Sequence, residues 1–402
     1  MLINPATAPH IHLARHRMQQ GAAIRLLAML LLGSTSLMAS FISQAAIPVP
    51  NPPVVQARAF ILEDFHSGRV LAEKNAHERM EPASLTKLMT AYIVFSELRS
   101  RSIKMDERVR ISTKAWRTGG SKMFIEVGKF VTVGDLLKGM IVQSGNDASI
   151  ALAEHVAGSE DAFASLMNNY AATLGMKETH YVNSTGLPNP EHYTTANDLV
   201  LLARALIRDF PEDYQLFSIH KFTYNNISQY NRNKLLWRDP SVDGLKTGHT
   251  KSAGYCLVAS AKRHDMRLIS VVLGTHSETA RAQESQKLLN YGFRFFETHR
   301  LYTANKALTS TRIWKGASEQ LPLGLQQDLY VTIPRKQYDR LNAHMNINAL
   351  IMAPASKGQA YGTLEVKLEG EKIAVRPLVA LRDIAQGSLF QRLSDEVQLL
   401  FE

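Results

Sequence analysis

At 402 residues with 45% apolar and 20% charged side chains, the chain can bury a large core and fold a second, smaller domain, which excludes disorder of its bulk. The formal charge of +10 is spread along the chain without a basic block, so nucleic acid is not an expected partner. The single cysteine, Cys256, excludes an internal disulfide, and its setting in GYCLVASA marks a buried strand thiol instead of a nucleophile.

Residues 1–45 have the make-up of an export signal: Arg15, Arg17 and Arg25 without an acid, the apolar run Leu26 to Leu32, and small residues before a cleavage point near Ala45. A retained membrane anchor is the competing reading, since apolar character continues to Ile42, although Gly33, Ser34, Thr35 and Ser36 interrupt it. Cleavage removes three arginines, taking the charge from +10 to +7, and leaves an exported, periplasmic mature protein. Ala57 to Asp64 and Arg69 to Asn75 then read as a β-hairpin turning at Ser67-Gly68.

From Glu81 the stretch EPASLTKLMTAYIVF predicts a helix. Pro82 suits its entry, and Leu85, Leu88, Met89, Tyr92 and Phe95 recur at helical spacing. Further helices are predicted at VGDLLKGMIVQ, NDASIALAEHVAG, AFASLMNNYAATLG and ANDLVLLARALI, with Asp135 and Asn197 as caps. Strands follow at FTYNN, AGYCLVASAKR and MRLISVVLGT, the last two an antiparallel pair joined at His264-Asp265, and then a helix from about Glu278 to Phe296. This makes 46–296 one domain. Over 297–387 short alternating segments such as DLYVTIP and GTLEVKLEGEKIAVRPLVAL predict a smaller, mostly β domain. In the tail, 388–402, Leu389, Phe390, Leu393, Val397, Leu400 and Phe401 form one apolar helical stripe.

Three short motifs bear chemistry. Ser84 and Lys87 stand three residues apart at a helix start, where one face carries both, and a lysine can activate a serine if burial or a second cation lowers its pKa. Ser-x-x-Lys alone is a weak signal, and Ser218 to Lys221 repeats it before a strand. Ser144-Gly145-Asn146 lies between two predicted helices, and Lys246-Thr247-Gly248-His249 lies before a predicted strand. Each alone reads as a turn or a solvated strand end; the ordered trio is much harder to obtain by accident. No metal-ligand spacing occurs among the histidines, and no cofactor is expected.

The trio, with Gly145 where the second motif commonly has Asp, together with NRNKLLW, VDGLKTGHT, VVLGTHSETARAQESQKLL, the β domain and the amphipathic tail, resembles the low-molecular-mass penicillin-binding proteins of the D-alanyl-D-alanine carboxypeptidase type, the penicillin-binding protein 5 and 6 group, peptidase S11-like. The resemblance implies an α/β catalytic domain of the serine β-lactamase and penicillin-binding transpeptidase class, an antiparallel sheet with helices, followed by the mostly β domain. It implies acyl-enzyme hydrolysis of peptidoglycan stem pentapeptides and covalent acylation by β-lactam antibiotics. Ser84 is then the nucleophile, Lys87 its base, Lys246 the nearby cation, Ser144 the proton relay and Asn146 the binder of the substrate amide. Thr247 and Arg281 are expected at the terminal carboxylate, with Gly248 and Arg232 lining the site. The backbone N–H groups of Ser84 and His249 are the expected oxyanion donors. Asp198 is carried over more loosely, since it can simply occupy a helix's first turn.

Alternatives sharing the fold are a serine β-lactamase, which lacks here a glutamate followed by the expected Leu-Asn pairing, and a D,D-endopeptidase; a non-catalytic envelope-binding protein is the reading from another class. The resemblance places the tail on the outer face of the inner membrane. Its charge departs from a strong interfacial helix, with Arg392 against Asp395, Glu396 and Glu402, and docking on the protein's own surface is the rival.

Overall fold

The structure, a computed structural model, describes Val49–Phe401; the proposed export signal lies outside the described residues. The chain divides into two compact units. One comprises Asn51–Arg300 and Tyr330–Ile333, the other Leu301–Leu329 and Pro334 onward.

In the first unit, β1 (Ala59–Asp64) and β2 (Val70–Lys74) form the expected hairpin. A 3-10 turn, Ala83–Thr86, leads into α1 (Lys87–Arg99). The α-helix thus starts at Lys87 and not at Ser84, because the turn after Pro82 is wound more tightly than the apolar spacing suggests. Next come β3 (Arg108–Arg110), α2 (Thr113–Arg117), β4 (Phe130–Thr132), α3 (Val133–Val142), α4 (Asn146–Ala157), α5 (Glu160–Thr173) and α6 (Ala196–Asp209). The hairpin of β5 (Lys221–Tyr224) and β6 (Ile227–Tyr230), α7 (Leu235–Arg238), β7 (Val242–Thr250), β8 (Gly254–Arg263), β9 (Met266–Thr275) and α8 (Glu278–Phe295) complete the unit.

Strands β2, β1, β9, β8 and β7 pair in that order in one antiparallel sheet, with β7 on its edge. Leu88, Met89, Ala91, Ile93, Val94 and Phe95 are all buried, so α1 is apolar around nearly its whole circumference and packs against α3, α4, α5 and α6. Each such large side chain adds roughly 1.5–3 kcal/mol of burial. That burial sets Lys87, at the first turn, in a dry environment.

Two capping expectations are corrected. The side chains of Thr132 and Thr195, extended residues ahead of α3 and α6, accept from the N–H groups of Asp135 and Asp198. Asp135 and Asn197 lie inside the first turns, because a cap oxygen must reach forward two or three residues.

In the second unit, β11 (Ala307–Arg312), β12 (Gln320–Gly324), β14 (Leu341–Ile347), β15 (Ala360–Leu368) and β16 (Glu371–Ala380) form a sheet in the order β11, β12, β16, β15, β14. Ile313, Leu321, Leu323, Ile351, Tyr361 and Ile384 are among the second unit's core residues. The strands β10 (Phe296–Tyr302) and β13 (Leu329–Pro334) make a separate pair that falls mainly in the first unit. The tail forms α9 (Leu389–Leu399), opened by a capping box of Ser388 and Gln391.

Candidate active site

Ser84 lies in the 3-10 turn, and Lys87, 1% exposed, begins the buried helix behind it. The Lys87 side-chain nitrogen Nζ is 3.2 Å from Ser84 Oγ, 2.7 Å from Asn146 Oδ1 and 2.5 Å from the Thr185 carbonyl oxygen. The orientation of the Asn146 amide is set on its other side, where Nδ2 donates to Gly119 O at 2.8 Å. Burial lowers the Lys87 pKa to about 7, with the Arg232 charge acting in the same direction and Asp147 and Glu160 opposing it.

The second motif stands beside this amine because Asn146 opens α4. Ser144 holds a left-handed φ of +67°, and its hydroxyl is buried with no hydrogen-bond partner among the described residues. The glycine at the motif's middle position has a steric cause: a Cβ on Gly145 would sit 2.8 Å from Asp147 Oδ1 and 3.2 Å from the Met123 nitrogen. Asp147 needs that space. Its carboxylate accepts from the N–H groups of Met123, Phe124 and Ile125 at 3.0, 2.9 and 3.3 Å.

The third motif is not a solvated strand end, since Lys246 and Thr247 are buried within β7. A Cβ on Gly248 would lie 3.0 Å from Pro82 O and 3.3 Å from the Ala83 Cβ, so this edge strand runs directly against the nucleophile turn. Lys246 donates to the carbonyl of Thr247 at 3.1 Å. Burial, then Lys87, Arg232 and Arg281, hold its amine well below the ordinary lysine range. Lys87 and Arg232 both bear on Lys246, whereas the cation that bears on Lys87 is Arg232. This revises the expectation that Lys246 depresses Lys87, because desolvation is the larger cause. Arg281, 4% exposed, donates to Gly248 O at 3.2 Å, and the exposed His249 ring stacks on Tyr255 at 4.0 Å.

The D-alanyl-D-alanine carboxypeptidase model of peptidase S11 matches residues 47–277, and that for the penicillin-binding protein 5 C-terminal domain matches 296–386. The chain belongs to the S11 D-alanyl-D-alanine carboxypeptidases. It is 43% identical over 383 residues to D-alanyl-D-alanine carboxypeptidase DacA of Escherichia coli, covering 92% of this chain and 95% of that one. Identity to DacC of the same organism is 46% over 365 residues, covering 89% and 91%. The solved penicillin-binding protein 5 of Haemophilus influenzae superposes with a TM-score of 0.82 at 40% identity, covering 84% of this chain and all 100% of that one. The activity is that of the family, serine-type carboxypeptidase hydrolysis, on the expected penicillin-binding fold.

Within this carboxypeptidase fold some residues lie apart from the expected cluster. Ser218 Oγ donates to Gln215 O at 2.7 Å, while the exposed Lys221 stands over the Tyr230 ring, so the second Ser-x-x-Lys builds no site. Asp198 accepts from Glu178 N and Thr179 Oγ1 at 2.9 and 2.7 Å and anchors α6. Among the described residues no cluster of His, Cys, Asp and Glu could hold a metal.

The Asn183–Leu187 segment, absent from the sequence expectations, forms the wall behind Lys87. Asn183 Oδ1 accepts from Thr185 N, Thr185 Oγ1 and Gly186 N at 3.1, 3.0 and 2.7 Å, a side-chain turn that aims the Thr185 carbonyl. The Ser184 carbonyl takes the Thr90 and Ser149 hydroxyls at 2.8 and 2.7 Å. Glu160, paired with Lys114 at 2.8 Å, accepts from Ser184 N and Oγ at 3.1 and 2.9 Å and is thereby committed to this wall. The sequence signal available was Asn-Ser-Thr-Gly, a turn-former ahead of a glycine.

Proposed function

We propose that Ser84 is the nucleophile and neutral Lys87 the base that deprotonates it, acting on the D-alanyl-D-alanine ends of peptidoglycan stem peptides. The observation that supports this most is the set of partners around Lys87. A neutral amine has two hydrogens and one lone pair; the carbonyl oxygens of Asn146 and Thr185 can only accept, and they take both hydrogens. The lone pair is left for the hydroxyl of Ser84 at 3.2 Å. Ser84 Oγ then bonds to the carbonyl carbon of the penultimate D-alanine, the C–N bond breaks, and the proton passes to the leaving amine with help from the unpartnered Ser144 hydroxyl. Water hydrolyses the ester in a second step that uses the same groups.

Asn146 gains a role beyond contacting substrate: it holds Lys87 in register. The Ser84 N–H, at the opening of a 3-10 turn, and the His249 N–H, on the edge strand, supply the oxyanion donors. Thr247, Gly248 and Arg281, with Arg232 beside the two lysines, make the cleft positive where the terminal carboxylate binds. Fluorescent penicillin followed by denaturing electrophoresis and mass spectrometry tests the assignment. Ser84→Ala should lose both the label and D-alanine release, and Ser218→Ala should keep both. An adduct on the peptide containing Ser218 would overturn it.

The mature protein is periplasmic in this reading, held at the inner membrane by α9. No helix among the described residues is long and apolar enough to cross a membrane. The apolar stripe of the tail is exposed, including Phe390 in α9 at 82% and Phe401 just after it at 86%, which disfavours docking of that stripe on the protein's own surface. Two of the three acids expected to repel anionic lipid are engaged elsewhere, and the third, Glu402, lies outside the described residues. Asp395 pairs with Arg312 at 3.3 Å and accepts from the Lys315 N–H, and Glu396 pairs with the Lys315 side chain.

A further inference from the structure

His192, outside all three motifs, is buried and has both ring nitrogens engaged. Its Nδ1 lies 3.1 Å from the Val182 nitrogen. A backbone N–H can only donate, so Nδ1 is the unprotonated nitrogen and Nε2 carries the hydrogen. Nε2 then donates to Thr86 Oγ1 at 2.8 Å, and the Thr86 hydroxyl donates to the carbonyl oxygen of Ala83, also at 2.8 Å. Every link in this chain has one direction, from Val182 through His192 and Thr86 to Ala83. Burial first, and then His180 and Lys87, lower the His192 pKa to about 4, so the ring stays neutral and keeps this tautomer at neutral pH.

The end of the chain is a strained residue. Ala83 has a φ of +48°, a left-handed conformation that brings the Cβ of a non-glycine residue too close to its own carbonyl oxygen. Its carbonyl is wedged against Gly186, whose φ is +82° and where a Cβ would fall 1.7 Å from Ala83 O. Ala83 C=O and Ser84 N–H belong to one peptide plane and point in opposite directions. Holding the carbonyl therefore aims the N–H.

We propose that His192 is a positioning residue for the acylation and deacylation steps: acting through Thr86, it fixes the Ala83–Ser84 peptide plane and so points the Ser84 N–H at the developing oxyanion. This rests on the reading of that N–H as an oxyanion donor. Both steps pass through a tetrahedral oxyanion, so both depend on the brace.

The test measures acylation by a penicillin, decay of the acyl-enzyme, and kcat and KM for D-alanine release, in wild type, Thr86→Val, His192→Ala and the double variant. Removing a single oxyanion donor slows enzymes by roughly 100- to 1,000-fold, and a misaimed donor should cost on the order of 10- to 100-fold in both acylation and deacylation. KM should stay close to wild type. The double variant should be no slower than the slower single one, since both break one chain. Thr86→Ser and His192→Gln, which can restore the hydroxyl and the N–H donor, should recover most of the rate. Thr86→Val preserves side-chain shape and decides the matter if His192→Ala does not fold. Wild-type rates in folded Thr86→Val, a loss confined to KM, or multiplied losses in the double variant would overturn the proposal. Failure of the wild type to be acylated at Ser84 would instead overturn the underlying site assignment.

Discussion

At Lys87, one side chain is asked to be buried, uncharged and aimed. Burial in α1 removes water, two carbonyl acceptors fix the amine, and Arg232 adds repulsion against a charge. Lys87→Arg should fold yet lose roughly 100- to 10,000-fold in acylation, because a guanidinium keeps its proton and cannot act as base. Stopped-flow or gel-based acylation rates check this, and a rate near wild type would remove Lys87 from the base role. Ser84, Lys87, Ser144, Asn146 and Lys246 were legible as candidates because the motifs that single them out are made of side-chain types at fixed spacing. The Thr185 carbonyl was not, since every residue has a carbonyl and only the Asn183 turn and the path through Gly186 decide where this one points. Arg232 was legible as a residue, but its effect on both lysines depends on long-range packing.

At the scale of elements, what matters is how backbones approach one another. The periodic helices and the β8–β9 hairpin were readable from apolar spacing and turn residues, whereas the 3-10 turn at Ser84 and the hairpin strand β6 were not. A four-residue turn carries too little periodicity to separate it from the helix it joins, and β6 is too short and too exposed to alternate clearly. Asp147 shows how one side chain binds two elements: from the first turn of α4 it collects three N–H groups of the Met123–Ile125 segment, where Phe124 sits at a φ of +69°. Asp147→Asn presents a donor where acceptors are needed. It should cost on the order of 1.5–3 kcal/mol in urea unfolding, and acylation should slow as Asn146 loosens next to it. An unchanged midpoint would show that the segment holds without the carboxylate.

For the whole molecule, the proposed catalysis and the proposed attachment fall in different units. The cluster around Ser84 belongs to Asn51–Arg300, and α9 belongs to the other unit. Its apolar stripe was visible in the sequence, but the acids looked like a liability because their partners, Arg312 and Lys315, lie about 80 residues earlier. With Asp395 and Glu396 paired, the proposed membrane contact has apolar burial as its driving term. Deleting 388–402 should leave hydrolysis of soluble peptide unchanged and move the protein from the membrane fraction to the soluble one. Wild-type binding to neutral vesicles should resist moderate salt. Absence of vesicle binding by the mature full-length protein would refute this role for α9.

The central claim, that a neutral Lys87 takes the proton of Ser84, is tested most directly by the rate constant for acylation of Ser84 by a penicillin as a function of pH. With the Lys87 pKa lowered to about 7, the reactive form is the deprotonated one, so the rate should climb about tenfold per pH unit below 7 and level off above it. A rate that is flat across that range, or that falls as pH rises through 7, would contradict it.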